Sequence, residues 1–262
     1  MVTLYTRTNL SNDEPTRVLQ YKVIWCTHGS ATIIIDTQQY TLTNHEVITI
    51  TSGQIHHFKE IAGHIAILEF SLDFICKDEN DIELIFHNGL FCHFGINEVV
   101  PVKRIDTFNY LLQLIETELQ KKLYQHSISI RACIELLLVE INRAKIDRGD
   151  TIWKPDSLFL RFLETVRNNF SKNYSLSTIA ELLHSTEAKL NDLAKLHTNK
   201  TAQNVIYSLV ISEAKRLLIY QPYSSIKEIS FELGFKDPFY FSNFFKKNTG
   251  LSPKEYKKIH LV

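Results

Sequence analysis

The stretch from Ile226 to Lys247 leaves the chain little freedom of fold, because helix signals and apolar spacing agree there over two consecutive elements. Ser225 is placed to cap a helix from Ile226 to Leu233. Gly234 ends it, since glycine accepts the left-handed backbone of a tight turn. Asp237 caps the next helix, with Pro238 at its first position, and that helix runs to Asn248 before Gly250. Ile229, Leu233, Phe235, Phe241 and Phe245 have the spacing that packs two helices across such a turn. The second helix then carries Phe239, Ser242, Asn243 and Lys246 at i, i+3, i+4 and i+7, opposite Tyr240, Phe241, Phe244 and Phe245. A stripe of this kind fits a DNA major groove, with Lys246, Lys247 and the helix N-terminus meeting phosphates.

A second copy of the arrangement lies upstream. Phe159 to Phe170 reads as a helix, then Ser177 to Leu183 with Ser175 or Ser177 as cap. After only His184 and Ser185, Thr186 caps a helix to Leu196. A longer helix, Ala202 to Tyr220, ends at Gln221-Pro222, and a last one runs from Pro253 to Lys258. Two helix-turn-helix units are therefore joined by one long helix.

Charge follows the same division. The chain is neutral overall, with 29 Lys/Arg and 29 Asp/Glu. Residues 155–262 hold 15 Lys/Arg against 10 Asp/Glu, whereas residues 1–154 hold 14 against 19. An acidic partner joined to a basic domain is the distribution expected of a polyanion binder.

The segment from Ile226 to Lys247, followed by Thr249-Gly250-Leu251-Ser252-Pro253-Lys254-Glu255-Tyr256, strongly resembles the AraC/XylS family signature of an I-x-x-I-A start, a GF turn, YFSRxFK and a GxSPxxYR ending. Leu176 to Leu183, Thr186 to Lys195, Thr201 and Ala214-Lys215-Arg216-Leu217-Leu218 extend the likeness over roughly 158–260. The resemblance implies a transcription regulator of bacterial type, commonly an activator, whose two reading helices enter successive major grooves. It implies double-stranded DNA as partner, a homodimer on repeated sites, a small-molecule effector and contact with RNA polymerase. The DNA-contacting set it gives is Thr186, Ala188, Lys189, Asn191, Asp192 and Lys195 in the first unit, and Asp237, Phe239, Ser242, Asn243, Lys246 and Lys247 in the second. The family's usual arginine is replaced by Asn243, which pairs with adenine rather than guanine. Asp192 occupies the equivalent place in the first unit, Asn199 stands for a glycine, and Val210 for an arginine in the linker helix. These departures make the second unit the expected main reader.

The first part of the chain reads as β. Val18 to Cys26, Ala31 to Asp36, Gln39 to Leu42, Glu46 to Thr51 and Ile65 to Phe70 are β-rich runs. Turn signals at His28-Gly29-Ser30, Thr43-Asn44, Ser52-Gly53 and Ala62-Gly63 separate them. Such spacing predicts an antiparallel barrel or sandwich, and a small barrel holds one ligand in its mouth. Asp106 to Tyr124 and Ile128 to Ile146 follow as amphipathic helices, the second with Ser127 or Ser129 as cap. They either cover the barrel or form a dimer surface. Arg148-Gly149-Asp150 and Trp153-Lys154-Pro155 mark a break. The fold class expected is α+β. Residues 1–150 form a sensing and dimerisation domain, which the resemblance makes cupin-like with a helical hairpin, and residues 151–262 form an all-α DNA-binding domain.

Other chemistries are less well supported. Gly53-Gln54-Ile55-His56-His57-Phe58-Lys59-Glu60 hints at a cupin metal site, yet Phe58 stands where a second ligand histidine belongs, and no second cluster appears near Cys92-His93. Neither metal nor cofactor is expected, and no Ser-His-Asp order, phosphate loop or nucleophile motif stands out. Tyr21, Trp25, His56 and Phe58 are the candidate effector-binding residues, with Tyr40 and Phe70 as further pocket aromatics; ordinary barrel core is the competing reading for each. Four separated cysteines, Cys26, Cys76, Cys92 and Cys133, read as free buried thiols. There is neither a secretory signal nor a membrane-length apolar run, so a cytoplasmic, non-enzymatic protein is expected. Two alternatives remain: a cupin-type metalloenzyme with a DNA-binding appendage, and a ligand-independent regulator whose first domain serves only dimerisation.

Overall fold

The computed structural model describes residues 1–17, 19–76, 90, 91, 97–150, 156–221 and 223–260. Val18, Cys92, His93, Trp153, Lys154, Pro155 and Pro222 lie outside them. The chain forms two compact units, Met1–Pro155 and Asp156–Val262.

Unit 1 opens with β1 (Val2–Ser11), β2 (Thr16–Arg17), β3 (Tyr21–Ile35), β4 (Gln38–Thr43), β5 (Glu46–Ile50) and β6 (Ile55–Phe70). A helical turn α1 (Leu72–Ile75) and strand β7 (Val99–Pro101) follow. All pairings are antiparallel along the path β1-β6-β3-β5-β7, with β2 also on β6 and β4 also on β3. Two expected turns are not turns. His28-Gly29-Ser30 and Ala62-Gly63 lie inside β3 and β6, where Gly29 pairs with Gly63 beside a register shift. A Cβ on Gly29 would stand 2.1 Å from the Ala62 carbonyl oxygen, and one on Gly63 2.1 Å from that of His28. Both glycines have positive φ, so they permit two backbones to touch at a bulge and do not end the strands. β1 was hidden by its polar residues: among the described residues it pairs along one edge, with β6, and its side chains are half-buried or exposed.

Period-two alternation divides β3 and β6 between two cores. Ile24, Cys26, Ile33, Phe58, Ile61, Ile65 and Ile67 meet on one face. Tyr21, Trp25, Phe70, Phe91 and Phe108 lie on the other. Burial of each such side chain is worth about 1.5–3 kcal/mol. Helices α2 (Ile105–Lys121) and α3 (His126–Asp147) form a hairpin. Phe108 of α2 stacks on Trp25 at 4.5 Å, and the Trp25 indole N–H donates to Asn109 Oδ1 at 3.0 Å. α3 begins earlier than expected, at His126; its N-cap is Gln125, not Ser127 or Ser129, and Gln125 makes no side-chain cap. Cys26 and Cys133 are buried as free thiols, and Cys76 is half-buried.

Unit 2 is helical: α4 (Ser157–Asn168), a 3₁₀ turn (Phe170–Lys172), α5 (Leu176–Leu182), α6 (Glu187–Thr198), α7 (Ala202–Tyr220), α8 (Ile226–Glu232), α9 (Pro238–Thr249) and α10 (Pro253–His260). Asp156 caps α4 by accepting from the Leu158 N–H at 2.8 Å. Among the described residues, no helix is long and apolar enough to cross a membrane.

Candidate nucleic-acid interface

The second unit is held by short-range devices. Ser225 Oγ accepts from the Glu228 N–H at 3.2 Å while Glu228 Oε2 accepts from the Ser225 N–H at 2.6 Å, a reciprocal cap for α8. After α8 the Gly234 N–H donates to Phe231 O and the Phe235 N–H to Ser230 O, with Gly234 at φ +74. A side chain on Gly234 would meet the Ser171 carbonyl, 2.5 Å from its Cβ. Asp237 Oδ1 accepts from the Phe239 N–H at 2.9 Å and starts α9 behind Pro238. Phe235 packs on Phe241 at 5.2 Å and Phe244 at 5.4 Å, Phe244 meets Tyr207 of α7 at 5.1 Å, and Phe245 meets Tyr256 of α10 at 5.5 Å.

What this leaves outside is Phe239, 82% exposed, with exposed Asn243, Lys246 and Lys247. Ser242 is half-buried, and its hydroxyl donates back to Pro238 O at 2.8 Å. Tyr240, expected on the packed side, is 62% exposed, with its ring 6.1 Å from that of Phe235. Two acidic residues of this unit, Glu228 and Glu255, are already engaged in caps. Hydrogen bonds from the Ser225 backbone and hydroxyl hold Glu228 below the usual carboxylate range, and those of Ser252 do the same for Glu255. Lys257 Nζ is also tied, 2.7 Å from Ser224 O, whereas Lys236, Lys246, Lys247 and Lys254 are exposed.

The first unit repeats the turn with different residues. The His184 N–H donates to Glu181 O and the Ser185 N–H to Ala180 O, matching Gly234 and Phe235, and His184 takes the left-handed conformation at φ 50. Ser175, not Ser177, caps α5, and Thr186 Oγ1 accepts from the Lys189 N–H at 3.2 Å to cap α6. Ala188, Lys189, Asp192 and Lys195 are exposed. Asn191 instead ties α6 to the start of α7, its Oδ1 accepting from the Ala202 N–H at 2.9 Å. Asn199 ends α6 at φ 57. Val210 is 5% exposed and belongs to the packing of α7.

In unit 1 the four candidate effector residues do not share a face. Phe58 joins the interior cluster with Ile24 and Cys26, whereas Tyr21 and Trp25 point to the side covered by Phe91 and Phe108. His56 is buried with Nδ1 unpartnered, and burial, then the Lys22 charge, push its pKa down to about 4. His56 and His57 are neighbours on a strand and project to opposite faces, so they cannot share one ion. Four residues not foreseen as a group form a polar cluster: Glu69 pairs with Lys22 at 2.6 Å and accepts from the Tyr5 hydroxyl at 2.7 Å and the Thr3 hydroxyl at 3.3 Å. The signal for it was two charged residues, Lys22 and Glu69, inside otherwise apolar strand runs. Separately, a shallow cleft with room for about one water lies among Val47, Thr49, Leu90, Glu98, Val100, Ile141 and Lys145, and none of the predicted effector residues lines it.

Residues 179–259 match the family model described as a helix-turn-helix domain. An uncharacterized HTH-type transcriptional regulator of Pseudoalteromonas carrageenovora is 33% identical over 93 residues, which are 36% of this chain and 54% of that protein. The raffinose operon transcriptional regulatory protein RafR of Pediococcus pentosaceus is 30% identical over 36% of this chain and 33% of its own length. The HTH-type transcriptional activator RhaS of Escherichia fergusonii is 22% identical over 91% of this chain and 85% of its own. The chain thus spans about half, and a third, of the length of the first two relatives.

Proposed function

We propose that this chain, whose second unit carries a helix-turn-helix domain of the AraC/XylS type, is a site-specific DNA-binding transcription regulator that activates genes in response to a small molecule. The observation that carries the reading is the paired geometry of unit 2. Two capped helices follow the same hydrogen-bonded turn, present exposed faces at Ala188–Lys195 and Phe239–Lys247, and are joined by α7. The surplus of lysine over free carboxylate around α9 supplies the phosphate attraction. A non-enzymatic role in the cytoplasm, on double-stranded DNA, belongs to this reading.

Unit 1 is the proposed sensor and dimerisation domain, a cupin-like barrel whose interior Lys22–Glu69–Tyr5 cluster and His56 supply a polar grip for the effector. Tyr110, Tyr124, Ile128 and Leu136, exposed on or between α2 and α3, favour this hairpin as the homodimer surface. RNA polymerase is the further partner of an activator.

Footprinting of the full chain tests the core of the reading. Asn243→Ala is expected to lose about 1–3 kcal/mol of specific binding. Lys246→Ala weakens all sequences alike and flattens the salt dependence. An unchanged footprint with Asn243→Ala refutes the assigned reading face.

A further inference from the structure

We propose that α9 selects A·T base pairs, with the Phe239 ring resting on a thymine C5-methyl group and Asn243 pairing with an adenine one to two base pairs away. The inference rests on the DNA-binding reading and adds what that helix recognises. Phe239 is 82% exposed although it sits on a rigid start: Asp237 caps its N–H and Pro238 fixes the preceding residue. A phenyl group so placed adds little to the core of unit 2, which is filled by Phe235, Phe241 and Phe245. On a helix entering the major groove, the apolar feature a phenyl ring meets on a base edge is the thymine methyl.

The rest of the face agrees. Asn243 follows Phe239 by one turn, about 6 Å along the axis, and the carboxamide matches the N6/N7 edge of adenine. Guanine asks for a bidentate Arg or Lys, yet the first two turns of α9 carry neither. Lys246 comes a turn later, where the proposed reading assigns it to a phosphate. Cytosine asks for a carboxylate, but Asp237 is spent on the Phe239 N–H. The first unit differs, since its face holds exposed Asp192 beside Lys189 and Lys195. The preference for A·T therefore belongs to one half of the site.

The test uses the full chain. Duplexes bound from a randomised pool are sequenced, and each thymine of the selected site is then replaced by deoxyuridine, which removes only the methyl group. One position under α9 is expected to lose about fourfold in affinity, the worth of one buried methyl group. Phe239→Ala should lose the same factor and become indifferent to that replacement, while Asn243→Ala should lose the preference for the neighbouring adenine. A selected half-site rich in G·C, affinity unchanged at every deoxyuridine, or a Phe239→Ala variant still sensitive to deoxyuridine would each overturn the inference with DNA binding intact. Should unchanged affinity in Phe239→Ala accompany insensitivity of the parent, the ring faces something other than DNA. Failure to enrich any duplex overturns the DNA-binding reading itself, and this inference with it.

Discussion

Lys22 Nζ lies 2.6 Å from Glu69 Oε1 across paired strands, both side chains almost wholly withdrawn from solvent. Burial alone would raise the Glu69 carboxyl, but the Lys22 and Tyr5 hydrogen bonds outweigh it and hold the group below its ordinary range. The pair is thus charged within the sheet, and removing Lys22 takes the opposite charge from a carboxylate that keeps its bonds from the Tyr5 and Thr3 hydroxyls.

Lys22→Met should therefore cost about 1.5–3 kcal/mol, the usual worth of a hydrogen bond to a charged group. The double variant Lys22→Met/Glu69→Met should recover most of that loss. Urea unfolding of the three proteins checks both statements; a loss below 1 kcal/mol in the single variant would mean that the carboxylate finds water.

His56 sets an acid limit on unit 1. Its folded pKa is depressed from 6.5 to about 4, so the unfolded state binds the proton first as pH falls. Stability is fully present above about pH 6.5 and declines towards pH 4, by roughly 3 kcal/mol for this group. His57 and His197, also lowered by burial, titrate in the same direction. His56→Gln should flatten the unfolding free energy between pH 7 and 5 relative to the parent, and an unaltered slope would contradict the assignment.

Ser230 is fully buried, and its hydroxyl has no hydrogen-bond partner. Ser230→Ala removes an unsatisfied group without opening a cavity, so unit 2 should gain about 1 kcal/mol and melt later. Calorimetry on the full chain would show the shift; a lower melting point would indicate that the hydroxyl is bonded after all.

Gly63 faces the backbone of β3 so closely that any side chain collides with it. Gly63→Ala is expected to destabilise unit 1 by at least about 2 kcal/mol, since φ is unfavourable and the obstructing atoms are main chain. Chemical denaturation again decides, with a loss under about half a kcal/mol as the contrary result.

These glycines also show where sequence reading reaches its limit. Caps at Thr186, Ser225 and Asp237 were legible because donor and acceptor lie within a few residues of each other. Gly29 and Gly63 looked like turns because the local signal is the same for a turn and for a close crossing. Only the partner strand, more than thirty residues away, distinguishes the two. Likewise, the exposure of Phe239, Asn243 and Lys246 on α9 could be assigned from spacing, though not that of Tyr240, whereas the opposed faces of Trp25 and Phe58 depend on where β3 shifts register. Asn191 illustrates a third case: its spacing placed it beside the reading face, yet its carboxamide oxygen holds the next helix.

That last bond gives α7 a further meaning. The helix is pinned to α6 at its first residue by Asn191 and to α9 through Tyr207 and Phe244. Both contacts lie in the first two turns of its 19 residues, so the two helix-turn-helix units are tied to the same end of one helix. On the proposed DNA-binding reading, unit 2 acts as a caliper for the interval between two grooves, and a site with half a turn inserted between its halves is expected to be refused.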